Sequence, residues 1–139
     1  TPYPVFEVAD DLASLETRNT PDISRTGRLS LKVAFEAIGD AGLDREFDKC
    51  GASDLMSDVL ARPTDGILLM TGLTSVQTIR TAKIAGVLAI VFVRGKRPSA
   101  EVIAVAKTED IPLFSSPYSM FVSCGRLHGR GLTGLDGRR

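Results

Sequence analysis

Hydroxyl, glycine and basic side chains fall in four short runs, each standing where an apolar segment gives way to a helix-like one. The runs are Ser53 and Asp54; Thr71, Gly72, Leu73, Thr74 and Ser75; Arg94, Gly95, Lys96 and Arg97; and Ser115, Ser116, Tyr118 and Ser119. Free amides at helix starts, hydroxyls and three cations together make a cradle for a phosphate, a nucleotide or a carboxylate. The same residues also have ordinary uses, the hydroxyls as helix caps and RGKR as a solvated turn. The candidate ligand-binding residues are Ser53, Asp54, Thr71, Gly72, Thr74, Ser75, Arg94, Lys96, Ser116 and Ser119. In an enzyme acting on a phosphorylated or acyl substrate, Asp54 would serve as acid or base and Arg94 or Lys96 would stabilise the anion. A lone histidine and isolated carboxylates supply no nucleophile–base pair for that reaction, so no catalytic residue is assigned.

Other signatures fail on context or count. The GxGxxG at Gly129 to Gly134 follows a helix-like segment instead of a strand and opens no helix, which a dinucleotide site requires. No GxxxxGK[ST] phosphate loop is present. The single histidine, His128, builds neither a zinc site nor a triad alone and suits a helix C-terminus. Cys50 and Cys124 are too few for a disulfide framework and lie in unrelated segments, which reads as two buried thiols in a reducing, cytoplasmic setting. No metal or cofactor is expected.

For the four runs to meet, they must sit at one end of a sheet. The stretch from Gly66 to Gly95 supplies its centre, with apolar runs at Ile67 to Met70 and Leu88 to Val93 that suit strands buried on both faces. Between them Val76, Ile79, Ala82 and Ala85 recur at helical spacing, with Thr74 or Ser75 as cap and Gly86 as terminator. Upstream, KCGASD reads as a strand with Cys50 and Ala52 inward, followed by the helix DLMSDVLA under a cap at Ser53 or Asp54. Downstream come a helix after Pro98, the strand IPLFS, and a helix from Ser119 to Gly129 in which Met120, Cys124 and Leu127 share a face. A further helix, LKVAFEAIG, opens at Ser30, and DAGLDREFD after it reads as turn. Such alternation predicts an α/β fold, a three-layer α/β/α domain with a mainly parallel sheet of about four strands and flanking helices. Residues 1–29 read as an N-terminal extension, 30–132 as the domain and 133–139 as a loose C-terminal tail.

Seventeen basic residues balance seventeen acidic ones across 139 positions, so no global field favours nucleic acid or an anionic membrane. No apolar run is long enough to span a bilayer.

The strings GASDLMSDVL, ILLMTGLTSVQTIRTAKIAGVLAIVFVRGKRP and IPLFSSPYSMFVSCGRL, in this order and spacing, resemble the DRTGG domain over roughly Leu29 to Leu132. RPTDGILLMTG stands where that family carries its name-giving residues. VRGKRPSAEVIAVAKTEDIPLFSS is also similar to the N-terminal, non-catalytic domain of HPr kinase/phosphorylase. The resemblance implies a stand-alone accessory or regulatory module, since DRTGG domains occur alone or joined to CBS modules and to phosphotransacetylase-type or CobB/CbiA-like enzymes, with no activity of their own established. It further implies an iron–sulfur redox enzyme of hydrogenase type as partner. Apolar residues outside the central unit, among them Phe114, Tyr118, Met120 and Phe121, point to a homodimer.

Overall fold

A computed structural model of the chain describes residues 29–30 and 46–136. Its centre is a four-stranded, all-parallel sheet of β3 (Cys50–Ala52), β4 (Leu68–Thr71), β5 (Ala89–Phe92) and β6 (Leu113–Ser115), lying side by side in chain order. The helices are α1 (Met56–Leu60), α2 (Val76–Ala85), α3 (Ala100–Thr108) and α4 (Met120–Gly129). A two-stranded antiparallel ribbon pairs β1 (Leu29–Ser30) with β2 (Glu46–Phe47). The α/β class and the four parallel strands agree with the sequence reading.

The core residues explain the layering. β4 and β5 are buried along their whole length, as apolar runs without alternation require. Leu69, Ile90 and Phe92 face one side, where Met56 and Val59 of α1, Ile79 and Ala82 of α2, and Val102, Ile103 and Ala106 of α3 cover them. Leu68, Met70, Ala89 and Val91 face the other, against Leu127 of α4, Phe47 and Leu132. Right-handed crossovers that always step in one direction place their helices on one face, which is why α1, α2 and α3 share a side and α4 takes the opposite one. The same order means that the described strands have no switch point.

Local signals act as their chemistry predicts in most places. Ser99 and Ser119 cap α3 and α4 by accepting from the Val102 and Val122 amides. Gly86 ends α2 at φ 75°, a left-handed conformation that favours glycine. His128 lies in the last turn of α4, where a partial positive charge is favourable. Ser75 occupies the N-cap position of α2 without a side-chain cap bond, and α1 starts after Leu55 instead of under Ser53 or Asp54.

Several expectations are corrected. Phe47, within the stretch read as turn, is 1% exposed and belongs to the core. Ala52 is exposed instead of inward, because it ends an edge strand and faces an open cavity, while Gly51 between it and Cys50 is buried. The part of the supposed tail that the structure describes is held against the domain: Leu135 contacts the three-helix side, and Thr133 bridges Lys49 in parallel. Phe114 is fully buried and contributes nothing to the apolar surface. Ser30 lies in β1; the helix expected after it falls outside the described residues.

Candidate functional site

Three of the four runs meet at the carboxyl ends of the strands around one carboxylate, and the fourth touches the Arg94 and Gly95 backbone beside it. Gly72 donates its amide to Asp54 Oδ1 at 2.6 Å, the Thr71 hydroxyl donates to the same oxygen at 3.3 Å, and Arg94 Nη2 donates to Asp54 Oδ2 at 3.1 Å. Lys96 Nζ donates to the Gly72 carbonyl at 2.8 Å. Asp54, Thr71, Gly72, Arg94 and Lys96 are thus one cluster, assembled from the loops after β3, β4 and β5.

Each loop has a local reason for its shape. After β3 the Ser53 hydroxyl accepts from the Leu55 amide at 3.1 Å, a tight turn that leaves Asp54 free to reach across to the next loop. After β4 the Thr71 hydroxyl accepts from Leu73 N at 3.2 Å, and Thr78 of α2 donates to the Leu73 carbonyl at 2.7 Å, holding the chain as it enters the helix. After β5 Arg94 takes a left-handed φ of 61°, followed by Gly95 at 65°. Bonds from Arg94 N to the Tyr118 carbonyl at 2.7 Å and from Gly95 N to the Ser116 carbonyl at 2.8 Å sustain that conformation. The guanidinium then lies over Gly72, where a Cβ would collide with Arg94 Nη2.

Thr74 and Ser75 are partly exposed beside this cluster, with Ser75 Oγ 3.4 Å from Thr78 Oγ1. Ser116 is fully buried, and its hydroxyl bonds that of Ser123 at 2.7 Å. Ser119 caps α4. Ser116 is therefore engaged inside the fold, and Ser119, exposed, is engaged as the cap of α4. Tyr118 carries Arg126 over its ring, 4.3 Å from the centroid.

The Gly72 amide is the largest influence on the Asp54 carboxyl and holds it below the ordinary carboxylate range; partial burial opposes this and Arg94 adds to it. A lowered pKa is the opposite of what a general acid needs at neutral pH. Side-chain exposures of 41% for Arg94 and 50% for Asp54 mean the ion pair itself is solvent-screened and adds less than about 1 kcal/mol. Because the folded-state pKa is the lower one, the contribution of Asp54 is complete above its unfolded-state value, roughly 3.9, and is lost as pH falls through the folded-state value. A carbon-13 titration of the Asp54 carboxyl is expected to show a midpoint below that of unfolded aspartate. A midpoint at or above it would mean that the Gly72 contact does not persist.

Two cavities lie away from this cluster, both beside β3. One, of about 330 Å³, is lined by Gly51, Ser53, Arg62, Ile67 and Leu135, among others. The second, of about 230 Å³, lies under α4 and is lined by Cys50, Cys124, Leu127 and His128 with neighbouring residues. Sequence reasoning missed both. The only signals were Leu135 for the first and Leu132 for the second, two apolar residues within a glycine- and arginine-rich stretch. Among the described residues no group of three or more His, Cys, Asp or Glu side chains could hold a metal ion, and no helix is long and apolar enough to cross a membrane.

No model of a known protein family matches the chain, and no curated protein does either. Among solved structures the fold is similar to the CBS and DRTGG domains of the regulatory region of a Clostridium perfringens pyrophosphatase, solved with its activator diadenosine tetraphosphate. The TM-score is 0.55 at 14% identity; the likeness covers 94% of this chain, which spans 60% of the length of that one. At that identity the likeness is one of fold, shared with a regulatory and not a catalytic region.

Proposed function

We propose that this chain is a non-catalytic regulatory module of the DRTGG type that binds a small anionic or nucleotide ligand at the carboxyl edge of its sheet. The observation that carries this reading is the set of groups on Asp54. A backbone amide, a hydroxyl and a guanidinium converge on one carboxylate, with the Lys96 ammonium close by on the Gly72 carbonyl. Those are the donors that a phosphate or carboxylate ligand uses. Asp54 fills the position from within the chain, so a ligand anion would take its place. The nucleotide-bound regulatory structure of the same fold supports the ligand class. An enzyme on a phosphorylated or acyl substrate is the weaker reading, because Asp54 is held ionised and engaged.

The test is a thermal-shift screen with inorganic phosphate, mono- and dinucleotides and acyl phosphates. At least one phosphorylated compound is expected to raise the melting temperature in a concentration-dependent way. No response across the panel would remove the ligand and leave protein–protein interaction as the function.

The partner in this proposal is an iron–sulfur redox enzyme of hydrogenase type in the cytoplasm, reached through a homodimer of the chain. Apolar side chains on the described surface support an interaction role: Phe121 is 87% exposed at the start of α4, beside Val122 at 38%, and Ile84 on α2 is 77% exposed. Light scattering at micromolar concentration is expected to give twice the mass of one chain. A clean monomer would count against the dimer.

A further inference from the structure

The two cysteines of the chain, far apart in sequence, come together between the edge strand β3 and helix α4. Cys50 and Cys124 are both partly buried and pack on the same apolar cluster. They line one cavity of about 230 Å³ with Ala52, Leu127, His128 and Leu132. The Cys50 thiol donates to the Gly51 carbonyl oxygen at 3.7 Å. Parallel strand order makes the pairing: α4 crosses back over the sheet towards β3, and its Cys124–Leu127 face comes down beside Cys50.

We propose that Cys50 and Cys124 form a redox-reactive dithiol that is converted to an intramolecular disulfide by exchange with a low-molecular-weight disulfide. Cys124 reacts first. The neighbouring Cys50 thiol favours the Cys124 thiolate against the effect of burial, whereas Cys124 and burial both keep Cys50 protonated. The Cys124 thiolate attacks one sulfur of the small disulfide, whose S–S bond breaks and releases one thiolate, leaving a mixed disulfide on Cys124. Cys50 gives its proton to the released thiolate, and its sulfur attacks that of Cys124, expelling the second small thiolate, which takes from water the proton that Cys124 had given up. Two protein thiols are oxidised by two electrons while one small disulfide is reduced to two thiols. The cavity beside the pair leaves room for the departing group. The bridge would pin α4 to the edge of the sheet, and the segment leading into α4 carries the Tyr118 carbonyl that accepts from Arg94 N. The inference is independent of any ligand at the carboxyl edge.

Intact-mass analysis of the full chain after incubation with oxidised glutathione decides it. With only two cysteines present, the expected product has lost two hydrogens, carries no glutathione and has no alkylatable thiol. Cys50→Ser is expected to stop at a stable adduct of one glutathione on Cys124. Cys124→Ser, left with the protonated thiol, is expected to react about tenfold more slowly. A wild-type product bearing two glutathiones, a disulfide between two chains on a non-reducing gel, or two thiols that stay unreacted would each overturn the proposal. Equal rates for the two variants would overturn the assigned order of attack.

Discussion

Ile90→Ala is expected to destabilise the domain by about 2–5 kcal/mol, the range of large-to-small changes at buried aliphatic positions. Ile90 is fully buried in the middle of β5, paired with Leu69 on one side and Leu113 on the other. Its side chain belongs to the cluster beneath α1, α2 and α3, together with Ile79, Phe92 and Val102. Strands on both sides fix the backbone, so the sheet cannot close around the missing carbons and a cavity remains. Urea denaturation of the variant and the wild type, with equal slopes, measures the difference. A loss under about 1 kcal/mol would mean that residue 90 does not sit at the centre of this core.

The second large effect concerns the ligand. Arg94→Ala is expected to weaken binding of the best phosphorylated compound by about one to two decades, since a charge-assisted contact is worth roughly 1.5–3 kcal/mol. The fold should be untouched, because the Arg94 side chain is partly exposed and the backbone bonds from Arg94 N to Tyr118 and from Gly95 N to Ser116 stay in place. Gly72→Ala should reproduce the loss by another route. A methyl group there collides with the end of the Arg94 side chain, which is long enough to swing away, so the guanidinium is displaced at little cost in stability. Asp54→Asn carries the opposite sign, for it removes the negative charge that holds the ligand's place and should tighten binding. Isothermal titration of the three variants checks the set. Affinities equal to wild type in all of them would leave Asp54 and Arg94 as a tie between loops and nothing more.

Much of this architecture was legible beforehand. Uninterrupted apolar runs with β-branched residues at 67–70 and 88–93, separated by one helical repeat and closed by Gly86, have few other solutions than a buried β–α–β unit. The caps at Ser99 and Ser119 were equally local. What escaped was set by tertiary contact. Phe47 sits among charged neighbours, yet β1 and the face beneath α4 draw it into the core. Ser116 looked like a loop hydroxyl, but Ser123 one helix turn past the cap gives it a buried partner. Asp54 was named as a ligand contact and as an acid or base; that its carboxylate would fill the site depends on a turn at Ser53 and a glycine in the next loop, and no periodicity encodes that. Cys50 and Cys124 meet only because the last helix returns over the first strand of the sheet.

The contact of Thr133 with β3 has a consequence for the order of assembly. Each strand from β4 to β6 pairs with the one made just before it, so the sheet can lengthen one unit at a time as the chain emerges, with modest closure entropy at every step. Among the described residues the outer side of β3 is met only by Thr133, whose hydroxyl reaches the Asp48 carbonyl across a separation of 85 residues. Among the described residues that outer edge therefore stays unpaired until a segment made after β6 returns to it. An unpaired edge is a template for another chain. Association of one copy with another through this edge is favoured most in the interval between the pairing of β6 and the arrival of Gly131 to Leu135 on β3, and that interval is when a chaperone matters.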